Sequence, residues 1–301
     1  MRFTLMVLAG WAGFAGGFSA ASAAVDVPPR PVVPLRETLR IPVRNSRERE
    51  PHFRQMIDVE VVREPAHGRR PFLVLLHGRA ATAAGRARLE LPIYPANSRY
   101  LAEQGFVVLT PLRVGYGLSG GPDVEYTGGC VSEHFARGVA PAVDEVRELI
   151  ASAARLPYVD GSRGILVGES FGGLIAIAAV AAHVPGVIAA VNVAGGDGGD
   201  SLHRPDHPCR PDRLQRTFAA YGAKSRLPTL WLYSANDRLW GPRYPREWFS
   251  AFRAAGGVGR FVMLPPDKNN GHFIFDRNAK AWHPAFNRFV ASTGILAGRS
   301  R

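Results

Sequence analysis

Short, continuously apolar runs alternate along the chain with longer segments whose apolar residues recur every three or four positions. Runs such as Phe72-Leu73-Val74-Leu75-Leu76 and Ile165-Leu166-Val167 have no polar face, the pattern of a strand covered on both sides. Strands are predicted at Thr38–Val43, Met56–Val62, Pro71–Leu76, Phe106–Pro111, Gly164–Val167, Val187–Val193, Thr229–Tyr233 and Gly259–Leu264. Helical periodicity is read at Tyr100–Gln104, Val139–Ala154, Gly172–Ala182, Asp212–Tyr221, Arg243–Ala255 and Ala279–Ser292. Strand followed by helix, repeated, predicts parallel strands joined by crossover helices. The first two strands have no helix between them and are expected to pair as an antiparallel edge. The expected architecture is therefore α/β, an eight-stranded, mostly parallel sheet flanked by helices with an antiparallel N-terminal edge. The Gly- and Pro-rich stretch Ala194–Pro211 is the longest irregular insertion, placed to cover a site.

The first residues change that picture at one end. A basic start at Arg2, an apolar stretch and small residues up to Ala23 have the form of a secretory signal peptide over residues 1–23. A leader with an edge strand is expected over 24–54 and a catalytic domain over 55–301. The apolar stretch is short and rich in Gly and Ala, so no stable membrane insertion is expected after cleavage. Export to the periplasm or the medium follows. The two cysteines, Cys130 and Cys209, are then expected to form a disulfide, because an oxidising compartment couples an even set of thiols. Two free buried thiols are the other reading.

Composition narrows the function classes. Of 301 residues, 46% are hydrophobic and 21% charged, ordinary usage for a packed domain and not for a disordered chain. The net charge of +12 raises the question of nucleic acid. Its arginines are scattered, no dense basic run appears and no nucleic-acid motif accompanies them, so no nucleic-acid partner is expected.

The candidate chemistry starts at Gly168-Glu169-Ser170-Phe171-Gly172, which follows a buried strand and opens an apolar helix. A strand-to-helix turn that tight needs residues without side chains on both sides of the serine, because a Cβ at Gly168 or Gly172 would collide with its neighbours. The turn lifts Ser170 Oγ clear of the backbone and points the helix N-terminus at it, favouring negative charge developing there. A serine needs a base, and the base an orienting acid. His272, in a turn soon after the last strand, is the candidate base. His283 lies inside the final helical pattern, and His183 ends the helix after the serine. Asp237, just past the seventh strand, is the candidate acid, with Asp197 and Asp200 after the sixth strand as backups. A turn-forming Asn236-Asp237 pair is the plainer reading.

Other clusters carry weaker signals. His203, His207 and Cys209 have a spacing that could hold zinc, but the segment is Pro-interrupted and Cys209 has a partner in Cys130. The Gly-rich run from Arg113 to Gly121 opens no helix and is not a dinucleotide fingerprint; Arg113 or Tyr116 could face substrate, and glycine-loop packing is the plainer alternative. Neither a cofactor nor a metal is implied.

Together, His77-Gly78-Arg79, Arg113-x-Gly115-Tyr116-Gly117-x-Ser119-Gly120-Gly121, Gly168-x-Ser170-x-Gly172-Gly173, Asn236-Asp237 and Gly271-His272 resemble the α/β-hydrolase superfamily, in its dienelactone hydrolase-like and prolyl-oligopeptidase-like esterase and peptidase branch. The resemblance runs from about residue 55 to the C-terminus. It implies the chain order Ser170, Asp237, His272, and an oxyanion hole from the backbone N–H groups of Phe171 and Arg79. His77 would then be structural. Dienelactone hydrolases proper use a cysteine nucleophile where this chain has Ser170. The function expected is hydrolysis of a small carboxylic ester or thioester through an acyl-enzyme. A serine aminopeptidase, with Asp123, Glu125 or Glu169 holding the substrate amine, and a non-catalytic binding protein on the same fold are the alternatives. The expected partner is a small acyl substrate; the oligomeric state is not legible.

Overall fold

The structure is a computed structural model and describes residues 33–44, 54–65 and 68–297. The proposed signal peptide lies outside the described residues, as does most of the expected leader.

Eight strands form one sheet among the described residues: β1 (Leu35–Val43), β2 (Gln55–Arg63), β3 (Arg70–Leu76), β4 (Val107–Leu112), β5 (Val159–Glu169), β6 (Val187–Val193), β7 (Thr229–Ser234) and β8 (Gly259–Leu264). Their order is β1-β2-β4-β3-β5-β6-β7-β8. The β1–β2 and β2–β4 pairs are antiparallel and the rest parallel, so the strands without a helix between them do make the antiparallel edge. This is the eight-stranded α/β-hydrolase architecture, with helices covering both faces.

The continuous apolar runs have a direct cause. Along β3, Phe72, Val74 and Leu76 enter one core while Leu73 and Leu75 enter the other, so neither set of alternating positions can be polar. The first core packs under α3 (Phe135–Ala153), α4 (Phe171–Ala181), α5 (Pro211–Lys224) and α6 (Tyr244–Ala254). The second packs under α2 (Pro95–Glu103) and the pair α7 (Ile274–Arg277) and α8 (Ala279–Thr293). Every residue of α4 is buried, which explains why it has no polar stripe.

Where the boundaries move, polar residues inside elements are responsible. β5 begins at Val159 rather than Gly164, because Arg70 and Pro71 of β3 pair with Val159 and Asp160 before a register shift. α2 begins at Pro95, the first-turn position a proline tolerates, ahead of the polar Asn97 and Ser98, both buried. α3 begins at Phe135 and carries Pro141 inside it. A short helix α1 (Ala83–Ala87), capped by Thr82 Oγ1 accepting from Gly85 N, was not predicted. Nor was α7. Among the described residues no helix is long and apolar enough to cross a membrane.

Candidate active site

The parallel strands β5, β7 and β8 deliver three side chains to their C-terminal ends, where open α/β sheets gather their ligands. Ser170 joins β5 to α4 with φ 55° and ψ −121°, a backbone region a non-glycine residue enters only when its surroundings force it. Hydrogen bonds on both sides of the residue do the forcing. The Ser170 N–H donates to Val193 O at 2.9 Å, and its carbonyl accepts from Gly173 N at 2.9 Å and Gly196 N at 3.2 Å. A Cβ on Gly168 would lie 2.0 Å from Gly172 O, and one on Gly172 would lie 2.2 Å from Leu76 O. Both are backbone atoms, so the turn exists only with glycine at both places.

Asp237 lies three residues past the end of β7, fully buried. Its Oδ1 accepts from Leu239 N at 2.8 Å and Trp240 N at 3.3 Å, and its Oδ2 lies 2.9 Å from His272 Nδ1. His272 stands in a single turn of 3-10 helix, Gly271–Phe273, and is 3% exposed. Asn236 stitches the acid's turn to the base's loop: its Oδ1 accepts from Asp267 N at 2.9 Å and its Nδ2 donates to Lys268 O at 3.0 Å. Asn270 completes the clasp, its Oδ1 accepting from His272 N at 3.1 Å and Arg238 N at 3.0 Å. Gly271 is required by the close approach, since a Cβ there would sit 2.0 Å from Ser234 Oγ. The Asn-Asp pair is thus a turn and also the holder of the histidine.

Burial alone would lower the His272 pKa, but the charge of Asp237 and its hydrogen bond outweigh that, with Glu169 adding, and the net direction is upward. The Trp240 indole packs edge-on against His272, ring centroids 5.5 Å apart, and is fixed by Nε1 donating to Ala194 O at 2.7 Å. Trp240 and Ser170 line the same cleft of about 210 Å³, together with Phe171, Arg79, Glu133 and Asp197. Asp237 and His272 are joined by a hydrogen bond, and Trp240 touches both the His272 ring and the cleft that Ser170 lines.

The loop after β3 is held by an ionic network. The buried Arg113 guanidinium pairs with Glu125, also through Nη2 at 3.3 Å, and donates to His77 O at 2.8 Å and Gly78 O at 3.5 Å. Tyr116 Oη donates to Glu125 Oε2 at 2.6 Å, and Arg79 makes a two-pronged pair with Asp123, both contacts 2.7 Å. These bonds press Gly78 against the serine: a Cβ on Gly78 would lie 3.2 Å from Ser170 Cβ. Phe171 and Arg79 both line the cleft, and among the described residues neither N–H group donates in a backbone hydrogen bond of the turns and loops.

Several sequence expectations meet the structure here, some of them as read and some not. Arg113 and Tyr116 are each 1% exposed and act in the loop network, so neither faces substrate. His77 is structural: Nδ1 lies 2.7 Å from Gly78 O, Nε2 accepts from Arg113 N at 3.4 Å, and burial beside Arg113 pushes its pKa well down. Of the backup acids, Asp197 accepts from Thr127 Oγ1 at 2.7 Å and Asp200 contacts the exposed His203 at 2.9 Å, while His272 pairs with Asp237. Cys130 and Cys209 are joined as a disulfide with Cα atoms 5.0 Å apart, which removes Cys209 from any thiolate-ligated zinc site. The amine-binding candidates are committed elsewhere: Glu125 to Arg113, Asp123 to Arg79 and Arg86, and Glu169 to the buried Tyr94 hydroxyl. A larger cleft of about 740 Å³ between the start of α3 and α5 shares Glu133 with the first but is not lined by Ser170, Asp237 or His272.

A model of the alpha/beta hydrolase family matches residues 73–294. Among solved structures, the chain is similar to a candidate dienelactone hydrolase from Klebsiella pneumoniae subsp. pneumoniae, with a TM-score of 0.56 and 19% identity over 86% of this chain and 99% of that one. It is also similar to an acetyl xylan esterase from Paenibacillus sp. R4, with a TM-score of 0.56 and 16% identity over 89% of this chain and 86% of that one. The acylaminoacyl peptidase of Pyrococcus horikoshii gives a TM-score of 0.57 and 14% identity over 85% of this chain, which spans only 41% of the peptidase. Identities this low speak for the fold. No curated protein matches the chain.

Proposed function

Because the chain belongs to the alpha/beta hydrolase family, we propose that it is a serine hydrolase that cleaves small carboxylic esters or thioesters through an acyl-enzyme. The observation that carries this reading is the strained Ser170 elbow together with a buried His272–Asp237 hydrogen bond at the same C-terminal edge of the sheet. A proton on His272 Nδ1, held by Asp237, leaves Nε2 as an acceptor. Nε2 takes the Ser170 hydroxyl proton as Oγ adds to the substrate carbonyl, and the carbonyl oxygen becomes an oxyanion facing the Phe171 and Arg79 N–H groups. The imidazolium returns its proton to the leaving alcohol or thiol as that bond breaks. Water, deprotonated by the same nitrogen, then adds to the acyl carbon, and collapse restores the serine with release of the acid.

The expected export also belongs to this proposal. The Cys130–Cys209 bond supports it, since such bonds persist where the surroundings are oxidising.

The test is hydrolysis of p-nitrophenyl acyl esters of increasing chain length by the wild type and by S170A, with aminoacyl anilides in parallel. The proposal expects turnover of the esters that S170A loses. Turnover retained in S170A would overturn the nucleophile, and faster cleavage of the anilides would make the protein a peptidase.

A further inference from the structure

The overall charge is +12, yet in the cleft beside Ser170 two carboxylates come together. Glu133 is 4% exposed, and its Oε2 is buried with no hydrogen-bond partner. Its carboxyl group rests on Gly198, where a Cβ would lie 2.7 Å from Oε1 and 2.9 Å from Oε2. Asp197 borders the same cleft, held by Thr127 Oγ1 at 2.7 Å. A buried carboxylate without a donor costs folding free energy and calls for a partner that the chain does not supply.

The cations near this pair have other duties. Arg204 donates to Cys130 Sγ at 2.9 Å, Arg210 pairs with Asp212 at 3.1 Å, and Arg213 donates to the Glu133 backbone carbonyl at 2.9 Å. Arg79, which also lines the cleft and whose charge acts on Asp197, is engaged by Asp123. Burial, together with the charge of Asp197, pushes the Glu133 pKa up to about 8 against the pull of Arg204, Arg213 and Arg210. The empty cleft therefore holds a carboxyl group that an incoming cation would return to its charged form.

The two carboxylates sit on separate loops with a fixed spacing. Cys130 and Cys209 join the loop before α3 to the insertion after β6, and Cys209 N donates to Gly198 O at 2.8 Å. Thr127 O accepts from His134 N at 2.7 Å, closing the first loop on itself. The cleft is also lined by Phe171, Leu239 and the Trp240 ring, the last two packed on the Gly196–Gly199 loop. An acidic end and an apolar wall suit a short aliphatic chain ending in an ammonium group, which offers three donors to the two carboxylates.

We propose that Glu133 and Asp197 form a substrate subsite beside Ser170 that takes a primary ammonium group, so that the preferred substrates are aminoacyl or aminoalkyl esters. This rests on the hydrolase reading for what happens at Ser170, but not for binding. It differs from the sequence-based peptidase alternative in the residues that recognise the amine.

Two arms test it. In the first, S170A, which cannot turn over, is titrated calorimetrically with butylammonium and with 1-butanol, alone and with E133Q and D197N added. Butylammonium is expected to bind at least tenfold more tightly than 1-butanol, and the preference is expected to collapse in either acidic-site variant while thermal melting shows them folded. Equal affinity for the two ligands, or a preference untouched by E133Q and D197N, would overturn the proposal even if the protein proves to be an active esterase. In the second, 4-aminobutyryl and butyryl p-nitrophenyl esters are compared. The ratio of their kcat/KM values should fall at least tenfold in E133Q, chiefly through KM; an unchanged ratio contradicts the subsite. Absence of any ester turnover, with butylammonium still bound, would overturn the hydrolase reading and leave the subsite standing.

Discussion

His272 Nδ1 lies 2.9 Å from Asp237 Oδ2, and both side chains are sealed from solvent. In water such a pair is worth little; here burial strengthens it, and the Leu239 and Trp240 N–H groups on Oδ1 hold the carboxylate in place. In the proposed mechanism Asp237 thereby selects one tautomer of His272 and leaves Nε2 free to accept.

Replacing that acid by its amide tests the tautomer argument. D237N keeps the volume but can donate to Nδ1, which places the imidazole proton on the wrong nitrogen. A fall in kcat of about 10³ to 10⁴ is expected with the fold retained. Ester hydrolysis and circular dichroism measured on the same sample check it.

The pH profile has a definite sign. His272 works as a base only when neutral, and its pKa is raised. The kcat/KM profile should therefore rise with pH along a limb whose midpoint lies above the 6.5 of a free histidine. Removing the Asp237 charge removes the main raising influence, so any residual activity of D237N should have its limb shifted to lower pH. A limb at or below the ordinary value in the wild type would contradict the pairing.

The glycines of the elbow predict a stability effect. A methyl group at Gly172 would meet Leu76 O at 2.2 Å, and neither β3 nor α4 can retreat without opening a core. G172A should lose about 3 kcal/mol or more, the severe end of overpacking. Urea denaturation of the variant measures this directly.

The network under the oxyanion loop predicts another. In R113A the buried Glu125 keeps its charge site without its partner, and the His77 and Gly78 carbonyls lose their donor. Breaking a buried pair from one side costs about 3 to 5 kcal/mol. R113K should recover only part of it, because an ammonium cannot reproduce the fork. Denaturant midpoints of the wild type and the two variants give the comparison.

The disulfide closes a long loop, its cysteines 79 positions apart in the sequence. Chain-entropy reasoning assigns such a cross-link about 4 kcal/mol. Reduction, or the C130S/C209S double variant, should lower the melting temperature and also weaken butylammonium binding, since the same bond sets the distance between the loops of Glu133 and Asp197. Differential scanning calorimetry with and without reductant reads the first effect.

What the sequence carried well was whatever depended on neighbours along the chain. The strands were legible because both faces of the sheet are covered, and the Ser170 turn because glycines must flank it on both sides. The edges of β5 were not, since Val159 and Asp160 become strand only by pairing with Arg70 and Pro71 some ninety positions away. Asp237 and His272 could be nominated from position after strands, but the clasp of Asn236 and Asn270 that fixes them is a contact between distant loops. Glu133 left no local signal. It sits in a polar stretch before a helix, and its meaning appears only when the insertion after β6 folds against it.

The central claim is that Ser170 is an activated nucleophile, and covalent labelling tests it most directly. A fluorophosphonate probe, followed by peptide mass spectrometry on the folded protein, should modify Ser170 and no other serine. The rate should drop at least a hundredfold in H272A, which removes the base. A folded wild-type protein that stays unlabelled, or labels equally well without His272, would contradict the account.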